Sequence, residues 1–310
     1  VYKRQVPMLG GSSKVGEIME VVRNVNNSRK KDNLSKIFVL EDCAQSLGAH
    51  AFGIPGSSQA SLPEGCYKLG TFGDIGTFSL QLNKDITAGE GGMVVTRDKE
   101  LNDRVDALHN AGYIKKEKNN INWYGDIPYG WGHGRRMSEL QGAVARVQLK
   151  KLDTILDSIR KNHSFFEEFF KKQGIKLRKR AYQNNPGDTG YYLCFHLPEN
   201  LDDNTAISKG REIAKDLKDK GFNVWFLHDF EVHIYYNIEP LVKKFPMNDG
   251  SPWEDPKNSF HTQYKYDRGA LPNLDHLLIR TIGLNMPSKM SDNTRDNMMN
   301  DLLVTLKNLY

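Results

Sequence analysis

Hydrophobic and polar positions alternate along the chain in short blocks of two periods. Near the start, Val15, Ile18, Met19, Val22 and Val25 recur at helical spacing. Ile37-Phe38-Val39-Leu40 is instead a continuous apolar run, the pattern of a strand buried on both faces of a parallel sheet, and it stops abruptly in Glu41-Asp42. Gly76-Thr77-Phe78-Ser79-Leu80 and Gly91-Gly92-Met93-Val94-Val95-Thr96 have the β-branched and aromatic content of two further strands. Asp98 to Gly112 reads as a helix with a glycine stop, and Tyr113 to Trp131 as a polar, aromatic, turn-rich loop. A long helix is expected from about Met137, because Ser138-Glu139-Leu140-Gln141 has the form of a capping box. Leu140, Val144, Val147, Leu152, Ile155 and Ile159 follow it at helical spacing.

Beyond Phe165 the pattern predicts a strand at Tyr191–Leu197, a helix at Ile207–Lys220 ended by Gly221 and a strand at Asn223–Leu227. A last strand at Ile282–Met286 and a closing amphipathic helix at Asp292–Leu309 follow. Between Ala49 and Gly70 lies a Gly/Ser/Pro-rich stretch of little periodicity, expected to be a surface excursion. This alternation predicts an α/β protein in two parts, residues 1–150 and 151–310.

Composition narrows the classes of function. With 38% apolar and 26% charged residues and a net charge of +5, the chain has the make-up of a soluble globular protein. Its lysines are interleaved with acids, as in Lys215-Asp216-Leu217-Lys218-Asp219-Lys220, which argues against a nucleic-acid surface. No apolar stretch is long enough to span a membrane, and no signal peptide is visible. The three cysteines, Cys43, Cys66 and Cys194, fit neither a disulfide framework nor a paired zinc site, so a reducing cytoplasm is the expected compartment. His228 and His233 lie near Asp229 and Glu231, but their spacing matches no zinc motif and no metal is expected. Gly89-Glu90-Gly91-Gly92 leads into a strand and lacks the spacing of a dinucleotide-binding turn.

The stretch richest in chemistry is Phe78 to Gly92, where Lys84 sits on a connection between an apolar strand and a glycine cluster. A lysine amine forms a Schiff base with a carbonyl, and pyridoxal phosphate (PLP) is the cofactor that exploits this most widely. PLP also needs a carboxylate on its ring nitrogen and hydrogen-bond donors for its phosphate. Asp42 lies at the carboxyl end of a predicted parallel strand, where ligands of open α/β sheets bind. It could instead cap a helix starting at Cys43. On that helix Gln45, three residues on, would face the same side and could donate to the ring's phenolic oxygen. Ser79, five residues before Lys84, is a candidate phosphate donor.

Three blocks in this order closely resemble the DegT/StrS family of sugar aminotransferases. They are Val39-Leu40-Glu41-Asp42-Cys43-Ala44-Gln45-Ser46-Leu47-Gly48-Ala49, Gly70-Thr71-Phe72-Gly73-Asp74-Ile75-Gly76-Thr77-Phe78-Ser79, and Lys84 with Thr87 to Thr96. Arg136-Met137-Ser138-Glu139-Leu140-Gln141-Gly142-Ala143 adds a fourth. The resemblance implies the fold-type I architecture of PLP-dependent transferases, here a partial large domain and a small C-terminal α/β domain, assembled as a homodimer. It implies that Lys84 carries the cofactor, that Asp42 partners the pyridinium, and that Gln45 and Ser79 contact the ring and phosphate. Glutamate or glutamine is the implied amino donor and a keto-sugar, nucleotide-linked, or a keto-inositol the acceptor. A sugar dehydratase of the same fold replaces the lysine by histidine, and a non-catalytic regulator would retain the fold without turnover. Where relatives carry Asn three residues before the methionine, this chain has Gly134 preceded by His133. The chain also reads as one met midway through its first domain, lacking upstream phosphate donors and a ring that stacks on the cofactor. By itself it is therefore expected to hold PLP weakly and to transaminate little.

Overall fold

The computed structural model describes residues 2–56, 63–112, 114–117, 120–122, 131–179, 187–230, 234–256 and 263–307. It opens with strand β1 (Tyr2–Gln5) and helix α1 (Val15–Lys31). Val15, Met19 and Val22 of α1 are buried against Val39, Cys43, Ala49, Ala51, Leu69 and Phe72. Next come β2 (Phe38–Asp42), β3 (His50–Gly53), β4 (Gly65–Lys68), β5 (Ile75–Ser79), β6 (Gly92–Val95) and α2 (Lys99–His109). The main sheet has the order β1-β2-β5-β6, with the first three strands parallel and β6 antiparallel to β5.

The both-faces burial expected of the strand around Ile37–Leu40 is corrected by this sheet. Along β2, Val39 and Glu41 are fully buried, whereas Phe38 on the opposite face is 38% exposed. Among the described residues α1 and the β3/β4 hairpin cover one face only. The Ala49–Gly70 stretch is likewise more than a loose excursion, because its ends form that antiparallel hairpin with Ala49, Ala51 and Leu69 in the core. Its centre, residues 57–62, lies outside the described residues. Within the predicted loop after α2, β7 (Ile114–Glu117) and β8 (Asn120–Asn122) pair antiparallel.

Helix α3 (Glu139–Lys172) begins where the capping box predicts. Ser138 Oγ accepts from Gln141 N at 3.2 Å and Gln141 Oε1 accepts from Ser138 N at 3.0 Å. The chain forms two compact units, one of residues 1–161 with 179–191, the other of residues 162–178 with 192–310. In the second, β9 (Tyr192–His196), α4 (Asp203–Asp219), β10 (Val224–Phe226), the short helices α5 (Glu239–Val242) and α6 (Pro272–Leu278), β11 (Thr281–Asn285) and α7 (Asp292–Leu306) follow in order. Its sheet has the order β10-β11-β9, all antiparallel. Phe170 and Phe195 pack in its interior with ring centroids 5.0 Å apart and ring planes tilted by 34°. Among the described residues no helix is long and apolar enough to cross a membrane.

Candidate active site

The carboxyl ends of β2 and β5 lie side by side. Asp42, the last residue of β2, is in register with Thr77 of β5, and the ladder continues one step as Cys43 N donates to Thr77 O at 2.8 Å. Paired residues project to the same face of a sheet, as do residues two apart on one strand, so Asp42, Thr77 and Ser79 share a face. Ser79 lies about 7 Å further along the strand than Thr77. Phe38, Leu40, Ile75 and Asp42 line a groove of about 530 Å³ over this sheet with Asp74, Thr77 and Leu101.

On the opposite face Glu41 holds the two strands together. Its fully buried carboxylate accepts from the backbone N–H groups of Gly70, Phe72 and Gly73 at 2.8, 2.7 and 2.7 Å. Burial raises the Glu41 carboxyl above its ordinary range against the pull of these donors and of Arg97. The three donors bind the turn that leads into β5 to the residue before Asp42. Sequence reasoning passed over Glu41, although its place two residues after the apolar Val39, on the same strand face, marks it as pointing into the core.

The helix expected at Cys43 does not form. Asp42 Oδ1 accepts from Ala44 N at 3.2 Å, and Ser46 N and Ala49 N donate to Cys43 O and Ser46 O at 3.1 and 3.0 Å. These are successive turns, and the chain must re-enter a strand at His50, leaving no length for a helix. Gln45 sits in the first of them. Its Oε1 accepts from Leu9 N at 2.9 Å and its backbone O from Gly10 N at 2.9 Å, so it fastens the turn before α1. Its side-chain oxygen is occupied, and only its N–H₂ end is a donor that a ligand could use.

Lys84 is held on a closed loop. Leu80 N donates to Gly91 O at 2.9 Å and Ala88 N to Leu80 O at 3.0 Å, while Lys84 N itself donates to Gln81 O at 3.2 Å. Leu80 and Ile86, on either side of the lysine, are buried against Leu152 and Leu156 of α3. Gln141 Nε2 donates to Glu90 O at 3.1 Å, which ties the α3 cap to the glycine cluster. Gly91 has φ +138°, a backbone conformation that L side chains rarely adopt, so glycine suits this turn, whose neighbour Met137 Cε is the flexible end of a side chain. Ser79 Oγ accepts from Gln81 N at 3.3 Å, leaving its O–H to donate elsewhere.

The structure thus gathers Asp42 and Ser79 at adjoining strand ends and places Lys84 on the pinned loop that directly follows Ser79. An amine, a carboxylate, a free hydroxyl donor and an amide N–H₂ form a donor set that fits the aldehyde, ring nitrogen, phosphate and phenolic oxygen of PLP. His228 is otherwise engaged: its Nδ1 lies 2.8 Å from Asp229, which also receives Arg211 Nη2 at 2.8 Å. His233 and Glu231 lie outside the described residues.

The chain is similar to several known proteins. A GDP-perosamine synthase of Escherichia coli O157:H7 is 40% identical over 120 residues, 39% of this chain and 28% of the relative. An L-glutamine:2-deoxy-scyllo-inosose aminotransferase of Streptomyces kanamyceticus is 32% identical over 169 residues, 53% of this chain and 36% of the relative. The chain spans about a third of the length of these two relatives. Helicobacter pylori PseC, an aminotransferase involved in the biosynthesis of pseudoaminic acid, has a similar fold, with TM-score 0.63 at 18% identity over 98% of this chain and 66% of that one. The sequence profile of the DegT/DnrJ/EryC1/StrS aminotransferase family matches residues 19–246, which include every site residue described above. By that match over most of its length, the chain belongs to the DegT/DnrJ/EryC1/StrS aminotransferase family.

Proposed function

We propose that the whole protein is a PLP-dependent aminotransferase that moves an amino group from glutamate or glutamine to a keto-sugar, nucleotide-linked, or to a keto-inositol. The observation that carries this reading is the in-register pairing of the β2 and β5 ends, followed at once by a lysine on a loop pinned to α3. PLP, when bound, supplies an aldehyde for a covalent link and a ring that draws electrons from the substrate carbon. Asp42 would keep a proton on the ring nitrogen, because a carboxylate favours the charged ring beside it. Ser79 Oγ would donate to the phosphate and the Gln45 amide to the phenolic oxygen. Lys84 Nζ would make the covalent link and, once displaced by substrate, take a proton from one carbon and return it to the next. A lysine at this position also argues against the dehydratase reading.

The same reading includes a homodimer in the cytoplasm. Leu140, Val144 and Val147, spaced to share one face of α3, are 82%, 48% and 50% exposed, and Trp131 just before the helix is 95% exposed. Such a stripe is what a second subunit would cover. None of the three cysteines pairs in a disulfide. Borohydride reduction of the full-length protein with PLP should fix the cofactor to Lys84; an identical adduct in Lys84→Ala would refute the assignment. Return of the aldehyde form on adding keto-sugar nucleotides to the pyridoxamine phosphate form separates a working transferase from a non-catalytic regulator.

A further inference from the structure

The turn that carries Gln45 is gripped by one side chain of α3 to which the reaction above gives no part. The Arg160 side chain is only 13% exposed. Its Nη2 donates to Gly48 O, three residues beyond Gln45, and its Nε to Asp188 O, both at 3.0 Å. A guanidinium is a planar fork of fixed donors, so it sets the distance and direction between two carbonyls in a way that a single ammonium does not. These are also bonds from a charged donor, roughly twice as strong as neutral ones.

Residues 187–190 form a strut between Arg160 and the segment before α1. Asp188 Oδ1 accepts from Ser12 N at 2.6 Å, and Thr189 N donates to Gly10 O at 2.8 Å. Gly10 N donates in turn to Gln45 O at 2.9 Å, so Gly10 is held between Thr189 and Gln45. Beside it Leu9 N donates to Gln45 Oε1 at 2.9 Å. The far end of the turn is closed by His50 N, which donates to Gly187 O at 2.8 Å. The strut lies close on α3: Gly190 has φ +80°, and a Cβ there would lie 3.2 Å from Arg160 Cα. With Oε1 committed to Leu9 N, the direction of the Gln45 N–H₂ is set by where Leu9 and Gly10 lie.

We propose that Arg160 is a positioning residue that, through Gly48 and the strut of residues 187–190, aims the Gln45 amide at the cofactor's phenolic oxygen. This rests on the reading of Gln45 as the donor to that oxygen. Arg160 itself touches no reacting atom; it acts by fixing both ends of a turn that has neither helix nor sheet pairing of its own. A donor held in place before the ligand arrives loses little freedom on binding it.

The full-length protein allows two readouts. Without PLP, hydrogen exchange at the amides of Leu9, Gly10 and Thr189 should quicken about tenfold in Arg160→Lys, while the amides of β9 keep their rates. With PLP bound, a donor to the phenolic oxygen favours the form in which that oxygen is most negative, so the pH midpoint of the cofactor's absorption band reports the donor. Gln45→Glu retains an acceptor for Leu9 N and removes the N–H₂. It should raise the midpoint by about one unit, and Arg160→Lys should raise it part of the way. In the double variant Arg160→Lys should add nothing, because its effect passes through the Gln45 amide. A midpoint that Arg160→Lys leaves unmoved, an equal shift in both backgrounds, or a quickening shared by β9 overturns the role of Arg160 alone. A band that Gln45→Glu leaves in place overturns the reading of Gln45 as the phenolic donor, and the proposal with it.

Discussion

Lys84 has neighbours that restrain its loop on both sides. With Leu80 and Ile86 seated against α3, the loop between them has few conformations to lose when a ligand is bound, which is the advantage of a site built on a packed scaffold. Asp42→Asn keeps the shape of the carboxylate and removes its charge. It should lower turnover of the full-length enzyme by about a hundredfold or more, the usual scale for a proton held at the right atom, with less change in substrate KM. A variant of unchanged kcat would show that another group faces the ring nitrogen.

Asp85 also makes a prediction about stability, and its sign follows from the direction of its shift. Its folded carboxyl titrates at about 7 against an ordinary 3.8, so between those values the folded chain binds more protons than the unfolded one. Stability from this group is full below the lower value and is lost as pH rises through 7. Thermal melts should therefore give a lower Tm at pH 8 than at pH 5, and Asp85→Asn should flatten that slope. Parallel slopes in the two chains would contradict the raised carboxyl of Asp85. Glu41→Gln tests the opposite case of a satisfied one. The amide retains one acceptor oxygen for three N–H donors and turns its own N–H₂ on one of them, a loss on the order of 1–3 kcal/mol measurable by urea unfolding.

At the scale of elements, α3 does two things at its first turns. Its capping box starts the helix, and the Gln141 side chain of that box also reaches the glycine cluster after Lys84. Ser138→Ala should cost about 1 kcal/mol through the lost cap. Leu156→Ala removes the seat of Ile86 and Leu80 and should cost about 2–5 kcal/mol. If the packing restrains the loop as described, hydrogen exchange in residues 80–91 should quicken in Leu156→Ala and stay unchanged in a surface variant such as Lys161→Ala. Strand periods were legible here without the fold, since β6, β9 and β10 fall within the predicted runs and β5 and β11 begin one residue before theirs. The hairpin at 50–68 was not, because its strands are short and glycine-rich, and pairing across the intervening loop stabilises them more than any local preference.

For the whole molecule, the exposed stripe on α3 marks where assembly should be tested. Leu140→Glu in the full-length protein should shift sedimentation from dimer to monomer, since a charge in the middle of an apolar contact is left unpaired. A dimer that survives this change would move the interface elsewhere.

Local pattern by itself determined the alternation of helices and strands, the start of α3 at its capping box, and a lysine set between a strand and glycines. Those features depend on residues within a turn or two of each other, so spacing and side-chain type suffice to read them. Only the tertiary structure decided that β2 lies against β5 with Asp42 opposite Thr77, and that Glu41 clamps the turn at Gly70–Gly73. It also decided that residues 179–191 rejoin the first unit and that one oxygen of Asp85 is buried without a donor. Each of these joins segments far apart in the chain or depends on what another element leaves uncovered. Burial and satisfaction of a polar group are properties of its surroundings in space, which the neighbouring letters of a sequence do not contain.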